Sequence, residues 1–300
     1  MKKVIFDVDT GVDDAVAILL GVLSKKACVE FFCSVSGNTS APQSAKNTLD
    51  VLELISAPQI DVVVGTETGF KKTRKSRQVH GKNGLGGFSL EKNPRKISDE
   101  NFVDKYVHTL ENSKKPITII ALGPLSNIAK VLKKRPDLEK KIEKIVFMGS
   151  TFDKPEGDTP YAGFNVALDP EAVEFLLSIT NKLVFCPNNH GRDFALTKEE
   201  VDSLKNINQT GKILADIFKE YHDHFIKEGA STYDSTAVFS ALFPHNAKTK
   251  KVFMEIKYYE KLGTALSIPH FDKTPNAKII TKINGRKMKQ LFFKFLKTLP

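Results

Sequence analysis

Eight residues, Asp7-Val8-Asp9-Thr10-Gly11-Val12-Asp13-Asp14, carry four carboxylates. They follow an apolar segment, Val4-Ile5-Phe6, and precede a helix-like one, Ala15-Val16-Ala17-Ile18-Leu19-Leu20. A buried strand would end, turn on Gly11 and start a helix where the charge is densest. In a strand, Asp7 and Asp9 project to one face. Asp13 and Asp14 fall in the first helical turn, where the dipole favours an anion by only about 0.3–1 kcal/mol. Two carboxylates about 4 Å apart repel by roughly 4 kcal/mol at an effective dielectric near 20, so the dipole does not offset several such pairs. Either some of these groups hold protons or a cation sits among them, and hard oxygen ligands suit Ca²⁺ or Mg²⁺ rather than zinc. The plainer alternative is a solvated acidic turn with a good helix cap. Four acids at the carboxyl end of a central strand, where open α/β sheets bind their ligands, favour a site.

The elements that must position these acids follow from the alternation of short apolar runs with amphipathic stretches, the pattern of a parallel sheet flanked by helices. Strands are expected near 3–7, 28–35, 61–64, 116–121, 144–148 and 182–186. Helices are expected near 12–24, 41–56, 100–113, 125–134, 169–178, 197–205, 211–228 and 234–243. Asp169-Pro170-Glu171 has the form of a helix start, an N-cap followed by proline. Beyond residue 245 the pattern predicts strands at 250–258 and 277–283 and a last amphipathic helix at 285–297. The Gly-, Lys- and Asn-rich stretch 65–98 is too long for an ordinary connection, and loops of that length are usually functional or mobile. Polar residues gather at the strand ends: Ser36-Gly37-Asn38, Leu122-Gly123-Pro124-Leu125-Ser126-Asn127 and Met148-Gly149-Ser150. Together they set amides, carbonyls and hydroxyls along the rim that holds the acids.

The 300 residues are 41% hydrophobic and 27% charged, a soluble composition that builds one large core. No Pro/Gly/Ser-rich linker or repeat divides them, so residues 1–300 read as a single domain. The net charge of +10 comes mostly from scattered lysines. Its densest runs, Lys71–Arg77 and Arg286–Lys297, lack interleaved aromatics, and no nucleic-acid-binding motif accompanies them. Nucleic acid is therefore not an expected partner. Cys28, Cys33 and Cys186 have neither an even count nor CxxC spacing, which argues against a disulfide framework or a zinc site. Residues 1–20 carry the acids rather than a signal peptide, and no apolar run reaches membrane-spanning length. A cytoplasmic protein without a membrane partner is expected.

In its motifs the chain resembles the nucleoside hydrolase family, the inosine–uridine-preferring and ribonucleoside hydrolases. The family's opening D-x-D-x-G-x-D-D is matched by Asp7, Asp9, Gly11, Asp13 and Asp14. Gly37-Asn38, His80-Gly81-Lys82-Asn83-Gly84-Leu85-Gly86 and Gly123-Pro124-Leu125-Ser126-Asn127-Ile128-Ala129 follow in the family's order. So do Met148-Gly149, Phe164-Asn165 with Asp169-Pro170-Glu171-Ala172, and Asp234 with Ala237-Val238. Each element is weak alone; in order, over roughly residues 3 to 240, they are specific. The resemblance implies an open, mostly parallel sheet with a Rossmann-like core and cleavage of a nucleoside's N-glycosidic bond by a Ca²⁺-held water. It implies metal ligation by Asp9, Asp14 and Asp234 carboxylates and the Leu122 carbonyl, with Asp9 also taking the water's proton. Asp13, Asn38 and Asn165 would hold the ribose hydroxyls, Met148 would pack on the sugar, and His80 would lie near the base. Asp7 is left as a structural neighbour at the strand end. Family members are commonly homodimers or homotetramers, and a homo-oligomer is expected here.

The chain departs from the family pattern in two places. In Gly157-Asp158-Thr159-Pro160-Tyr161-Ala162-Gly163-Phe164-Asn165, Asp158 stands for an Asn and Gly163 for a Glu that hold the 5′-hydroxyl in the family, so Asp158 is the candidate substitute. Tyr233 stands where many members have the His that protonates the leaving base. A phenol, with an ordinary pKa near 10, is a weaker acid at neutral pH than imidazole, but it donates a hydrogen bond. His190 and His80 are alternative proton sources, while His222 and His224 read as surface residues of the 211–228 helix. Two rival readings stay open. One is a nucleoside- or ribose-binding protein, or a hydrolase of a non-standard ribosyl compound. The other, minor, is a haloacid-dehalogenase-type phosphatase, whose Asp-x-Asp opening would need neither Asp13 nor Asp14.

Overall fold

Ile117-Thr118-Ile119-Ile120-Ala121 is buried at every position, as a strand covered on both faces must be. It lies near the middle of a nine-stranded sheet. The computed structural model describes residues 1–72, 80–81, 83–151, 163–225, 229–259 and 264–300. The first half of the chain runs β1 (Lys2–Val8), α1 (Val12–Leu23), β2 (Ala27–Ser34), α2 (Ala41–Leu54), β3 (Asp61–Val64), α3 (Phe102–Asn112), β4 (Ile117–Ala121), α4 (Ser126–Lys134) and β5 (Ile142–Met148). Next come α5 (Phe164–Leu168), α6 (Pro170–Ile179), β6 (Leu183–Cys186), β7 (Ala195–Leu196), α7 (Lys198–Leu204), α8 (Gln209–Phe225), β8 (Ala230–Ser231) and α9 (Tyr233–Leu242). The last elements are β9 (Ala247–Tyr259), β10 (Thr264–His270), β11 (Ala277–Ile283) and α10 (Gly285–Leu296).

The strand order is β10-β9-β11-β6-β5-β4-β1-β2-β3, with β7 and β8 forming a separate pair. From β3 to β11 all neighbours are parallel, and β9 and β10 add antiparallel strands at one edge. Aromatic and aliphatic side chains pack on both faces. One layer is built from α1, α2, α8, α9 and α10, the other from α3, α4 and α6. The predicted fold class holds: a mostly parallel sheet between helical layers.

Beside β1 the order reverses, because β2 and β3 lie to one side and β4, β5 and β6 to the other. Such a switch point opens a crevice beyond the carboxyl ends of the strands, here between the residues that follow β1 and those that follow β4. The predicted elements up to residue 243 match within a few residues. Besides the short β7–β8 pair, the structure adds two. The edge strand β10 contains Pro269, which costs no ladder bond at an edge but makes the run read as non-strand. The five-residue α5 is too short to show a helical period. In the long 65–98 stretch the described ends are tied down: Phe70 N–H donates to Asp169 at 2.7 Å, and Leu90 N–H donates to Asp50 at 3.3 Å.

Candidate active site

Asp9 is the first residue beyond β1, and Asp13 and Asp14 stand in the first turn of α1. Asp14 also caps that helix, accepting the Gly11 N–H at 2.7 Å. Asp234 stands in the first turn of α9, which packs along α1 in the same layer. One oxygen each from Asp13, Asp14 and Asp234 lies within 4.8 Å of the others, and Asp14 and Asp234 are within hydrogen-bonding reach. Asp9 is turned partly aside: its Oδ2 accepts the Asn38 N–H at 2.9 Å. All four acids are buried.

Burial is the largest electrostatic effect here. It lifts Asp9 from 3.8 to about 7, opposed by the Asn38 N–H and reinforced by the charge of Asp13. It raises Asp14 as well, with further upward pushes from Asp9 and Asp13. Asp234 is raised by burial and then by Asp13, Asp14 and Asp9. Without a cation these groups hold protons, because ionising neighbours in a desolvated cluster is costly. Asp9 Oδ1, Asp13 Oδ1 and Asp14 Oδ1 are buried and make no hydrogen bond within the protein. Buried carboxylate oxygens without donors, beside three carboxylates that converge within 4.8 Å, are the donor set of a hard divalent cation, so the residues present fit a metal.

Asp7, the fourth member of the acidic run, points the other way. Its carboxylate accepts the Tyr106 hydroxyl at 2.6 Å and the Asn127 amide at 3.1 Å. Burial lifts it to about 7 while those two donors pull it down. Asn127 also donates to the Ser34 carbonyl at 2.9 Å and accepts the Thr66 N–H at 2.8 Å. Asp7 thus ties β1 to α3 and α4, the structural part expected of it.

The other expected residues gather around the acids. The Asn38 amide reaches Asp14 Oδ2 at 3.4 Å. Asn165, in α5, donates to the Leu122 and Met148 carbonyls, the latter at 2.9 Å, and leaves its own Oδ1 free. The Leu122 carbonyl, expected as a metal ligand, therefore already accepts one hydrogen bond; an oxygen with two lone pairs retains room for a second partner. His80 is buried, with Nδ1 accepting the Val12 N–H at 3.2 Å and lying 3.8 Å from Asp13. Burial lowers its pKa against the pull of Asp13, and its ring stacks on Tyr221 at 5.2 Å. Tyr233 is half-buried beside Asp234 at the start of α9, its ring so close to Gly191 that any β-carbon there would overlap it. Asp158 lies outside the described residues, as do the side chains of His222 and His224.

With this geometry in place, comparison with known proteins is decisive. The family model described as inosine-uridine preferring nucleoside hydrolase matches residues 4–290. The chain belongs to that family. A non-specific ribonucleoside hydrolase RihC from Escherichia fergusonii is 26% identical over 296 residues, covering 97% of each protein. The purine-preferring ribonucleoside hydrolase from Gardnerella vaginalis superposes with a TM-score of 0.89 at 25% identity, over 99% of this chain and 98% of that one. An inosine-guanosine nucleoside hydrolase has the same fold, with a TM-score of 0.90 at 22% identity and 99% coverage of both. Membership makes the protein an N-glycosyl hydrolase of a metal-dependent family.

Within this family frame, His190 is not free to serve as an acid. Its Nδ1 lies 2.8 Å from Asp193 and its Nε2 donates to the Ile280 carbonyl at 3.1 Å, which pins the turn after β6 against β11. Sequence reading missed Tyr221, although it ends the apolar stripe Leu214, Ile217 and Phe218 at helical spacing. It also gave no part to Tyr106, whose link to Asp7 spans 99 positions.

Proposed function

We propose that the protein hydrolyses the N-glycosidic bond of ribonucleosides, releasing ribose and free base, with Ca²⁺ as its metal. The observation that carries this reading is the set of buried acids with free oxygens at the sheet's switch point, in a chain matched by the family model along nearly its whole length. Asp9, Asp14 and Asp234 would hold the ion through carboxylates, and Leu122 through its carbonyl. The ion, when bound, supplies positive charge that acidifies water and attracts vicinal hydroxyls.

The chain's own residues do the rest. Asp9 keeps one oxygen free and takes the proton of the attacking water. Asp13, Asn38 and Asn165 bind the ribose 2′ and 3′ hydroxyls, and Met148 packs on the sugar. Breaking the C–N bond leaves positive charge on the sugar, as in glycoside hydrolysis, and the surrounding carboxylates stabilise it. No covalent nucleophile is needed. His80, stacked on Tyr221, faces the base, and the Tyr233 hydroxyl donates to it as it leaves. Asp158 contributes to binding the sugar. One sheet joins strands from residue 2 to residue 283, which supports a single domain. We also assign the protein to the cytoplasm, as a homodimer or homotetramer; among the described residues no helix is long and apolar enough to cross a membrane.

A second reading, hydrolysis of a non-standard ribosyl compound, draws support from Tyr233 and from Gly163, which offers no side chain. Incubation of the Ca²⁺-loaded protein with a panel of purine and pyrimidine ribonucleosides, read as reducing sugar, tests both. Release abolished by Asp9→Ala supports the proposal. Tight binding without release across the panel sinks it.

A further inference from the structure

Among the described residues, the buried polar side-chain atoms that make no hydrogen bond are concentrated at one place. All but Ser267 Oγ belong to the rim: Asp9, Asp13, Asp14 and Asn165, already discussed, with Ser150 Oγ, Asn188 Oδ1 and Ser235 Oγ. Native interiors leave few such atoms, and each one calls for a ligand or another physical cause. Ser150 and Asn188 are the pair for which the fold suggests a ligand.

The two residues extend from adjacent strand ends. Ser150 lies two positions beyond Met148, the last residue of β5, and Asn188 two beyond Cys186, the last of β6. Gly149 N–H donates to the Cys186 carbonyl at 3.0 Å and Asn188 N–H to the Ser150 carbonyl at 3.1 Å, so they are joined through the backbone. Ser150 is fully buried with φ of 90°. Glycine adopts that conformation without strain, yet the chain places a hydroxyl there and gives it no partner. On the other side, Gly163 abuts the Ser150 backbone: a β-carbon at 163 would come within 2.8 Å of Ser150 N. Position 163 therefore contributes no side chain to this corner. Asn165, two residues later, binds the Met148 carbonyl, which sets Ser150 next to the residues assigned to the sugar.

We propose that Ser150 and Asn188 form the subsite for the 5′-hydroxyl of the ribosyl group. This rests on the ribonucleoside reading above. A hydroxyl that donates and an amide oxygen that accepts complement an alcohol, which does both. The 2′ and 3′ hydroxyls are taken by the acid cluster and its neighbours, so the primary alcohol is the one left to a ribosyl group. Both side chains are uncharged, which suits an alcohol rather than a phosphate.

The test uses the full, Ca²⁺-loaded chain as wild type, Ser150→Gly and Asn188→Ala. Glycine at 150 relieves the left-handed backbone, so that variant folds; its melting temperature stays level or rises. Two arms are run: kcat/KM for inosine, 5′-deoxyinosine, uridine and 5′-deoxyuridine, and calorimetric binding of D-ribose against 5-deoxyribose. The wild type should prefer the 5′-hydroxyl member of each pair by about tenfold, the scale of one neutral hydrogen bond. Each variant should lose that preference and leave the 5′-deoxy compounds unchanged. Equal losses on both members of a pair, losses that follow the base, or no loss would overturn the proposal. If the wild type cleaves none of the four, the ribonucleoside reading fails. The sugar-binding arm then decides the subsite alone: discrimination against 5-deoxyribose that both substitutions remove supports it, and its absence overturns it.

Discussion

Asp14→Asn separates the charge of the acid cluster from its shape. Asparagine keeps an oxygen to accept the Gly11 N–H, so the start of α1 stays capped, while a group that must either ionise or hold a proton is replaced by a neutral amide. The Asp13, Asp14 and Asp234 oxygens lie no more than 4.8 Å apart. Ionising two carboxylates at that separation would cost about 3.5 kcal/mol at an effective dielectric near 20. So without metal Asp14 stays protonated in the fold, a proton taken up at a cost near pH 8 that the variant avoids. In chelator, near pH 8, the variant should therefore melt at or above the wild-type temperature. Added Ca²⁺ should have the opposite ranking. At about 100 times its dissociation constant, a ligand that binds only the folded state stabilises by about 2.7 kcal/mol. For a chain of this size that is a rise of about 5 °C, expected for the wild type and absent from Asp14→Asn. Differential scanning fluorimetry with a Ca²⁺ titration measures both effects. A wild-type Ca²⁺ shift in the variant, or a metal-free variant that melts well below the wild type, would refute the assignment of Asp14 as a ligand in a self-repelling cluster.

Other outcomes follow from the same geometry. Asp7 and Asp9 are lifted by burial from 3.8 to about 7, so the stability each contributes is complete below about pH 4 and is lost as pH rises through about 7, on the order of 4 kcal/mol per group. The melting temperature in chelator should therefore fall from about pH 5 to about pH 8, and fall less with Ca²⁺ present; a rise across that interval contradicts the sign. Tyr106→Phe removes the 2.6 Å donor to buried Asp7 and should cost about 1–3 kcal/mol of unfolding free energy, read from urea melts, with Ca²⁺ affinity kept. Tyr233→Phe should slow natural nucleosides more than p-nitrophenyl riboside, whose leaving group needs no proton; equal losses would remove Tyr233 from the leaving-group role.

The sheet and the acids were legible from sequence for the same physical reason. A strand buried on both faces must be apolar throughout, so Ile117–Ala121 and Val4–Phe6 stand out, and charges at their ends stand out against them. Local signals also placed the helix starts, as at Asp169, whose Oδ1 accepts the Ala172 N–H at 3.1 Å. What escaped depends on distant pairing or on missing partners. Tyr106 reaches Asp7 across 99 positions, and no local period marks it. Pro269 disguises an edge strand because proline is tolerated only where the ladder ends. Ser150 and Asn188 look like loop residues until the structure shows Ser150 Oγ and Asn188 Oδ1 buried without a hydrogen-bond partner.

The four acids of the opening run are held by different means, and that difference locates the chemistry. α1 and α9 both aim their N-termini at the cluster, but dipoles worth about 0.3–1 kcal/mol each cannot offset repulsions several times larger. Asp7 is buried just as deeply, yet Tyr106 and Asn127 satisfy it, so its role is complete in the free protein. Asp9, Asp13 and Asp14 each keep an oxygen that the protein does not satisfy. A fold that satisfies both oxygens of the first acid and leaves one oxygen of each of the next three without a donor is arranged for something from outside. In the proposed function, divalent charge would answer the repulsion and sugar hydroxyls the free oxygens that remain.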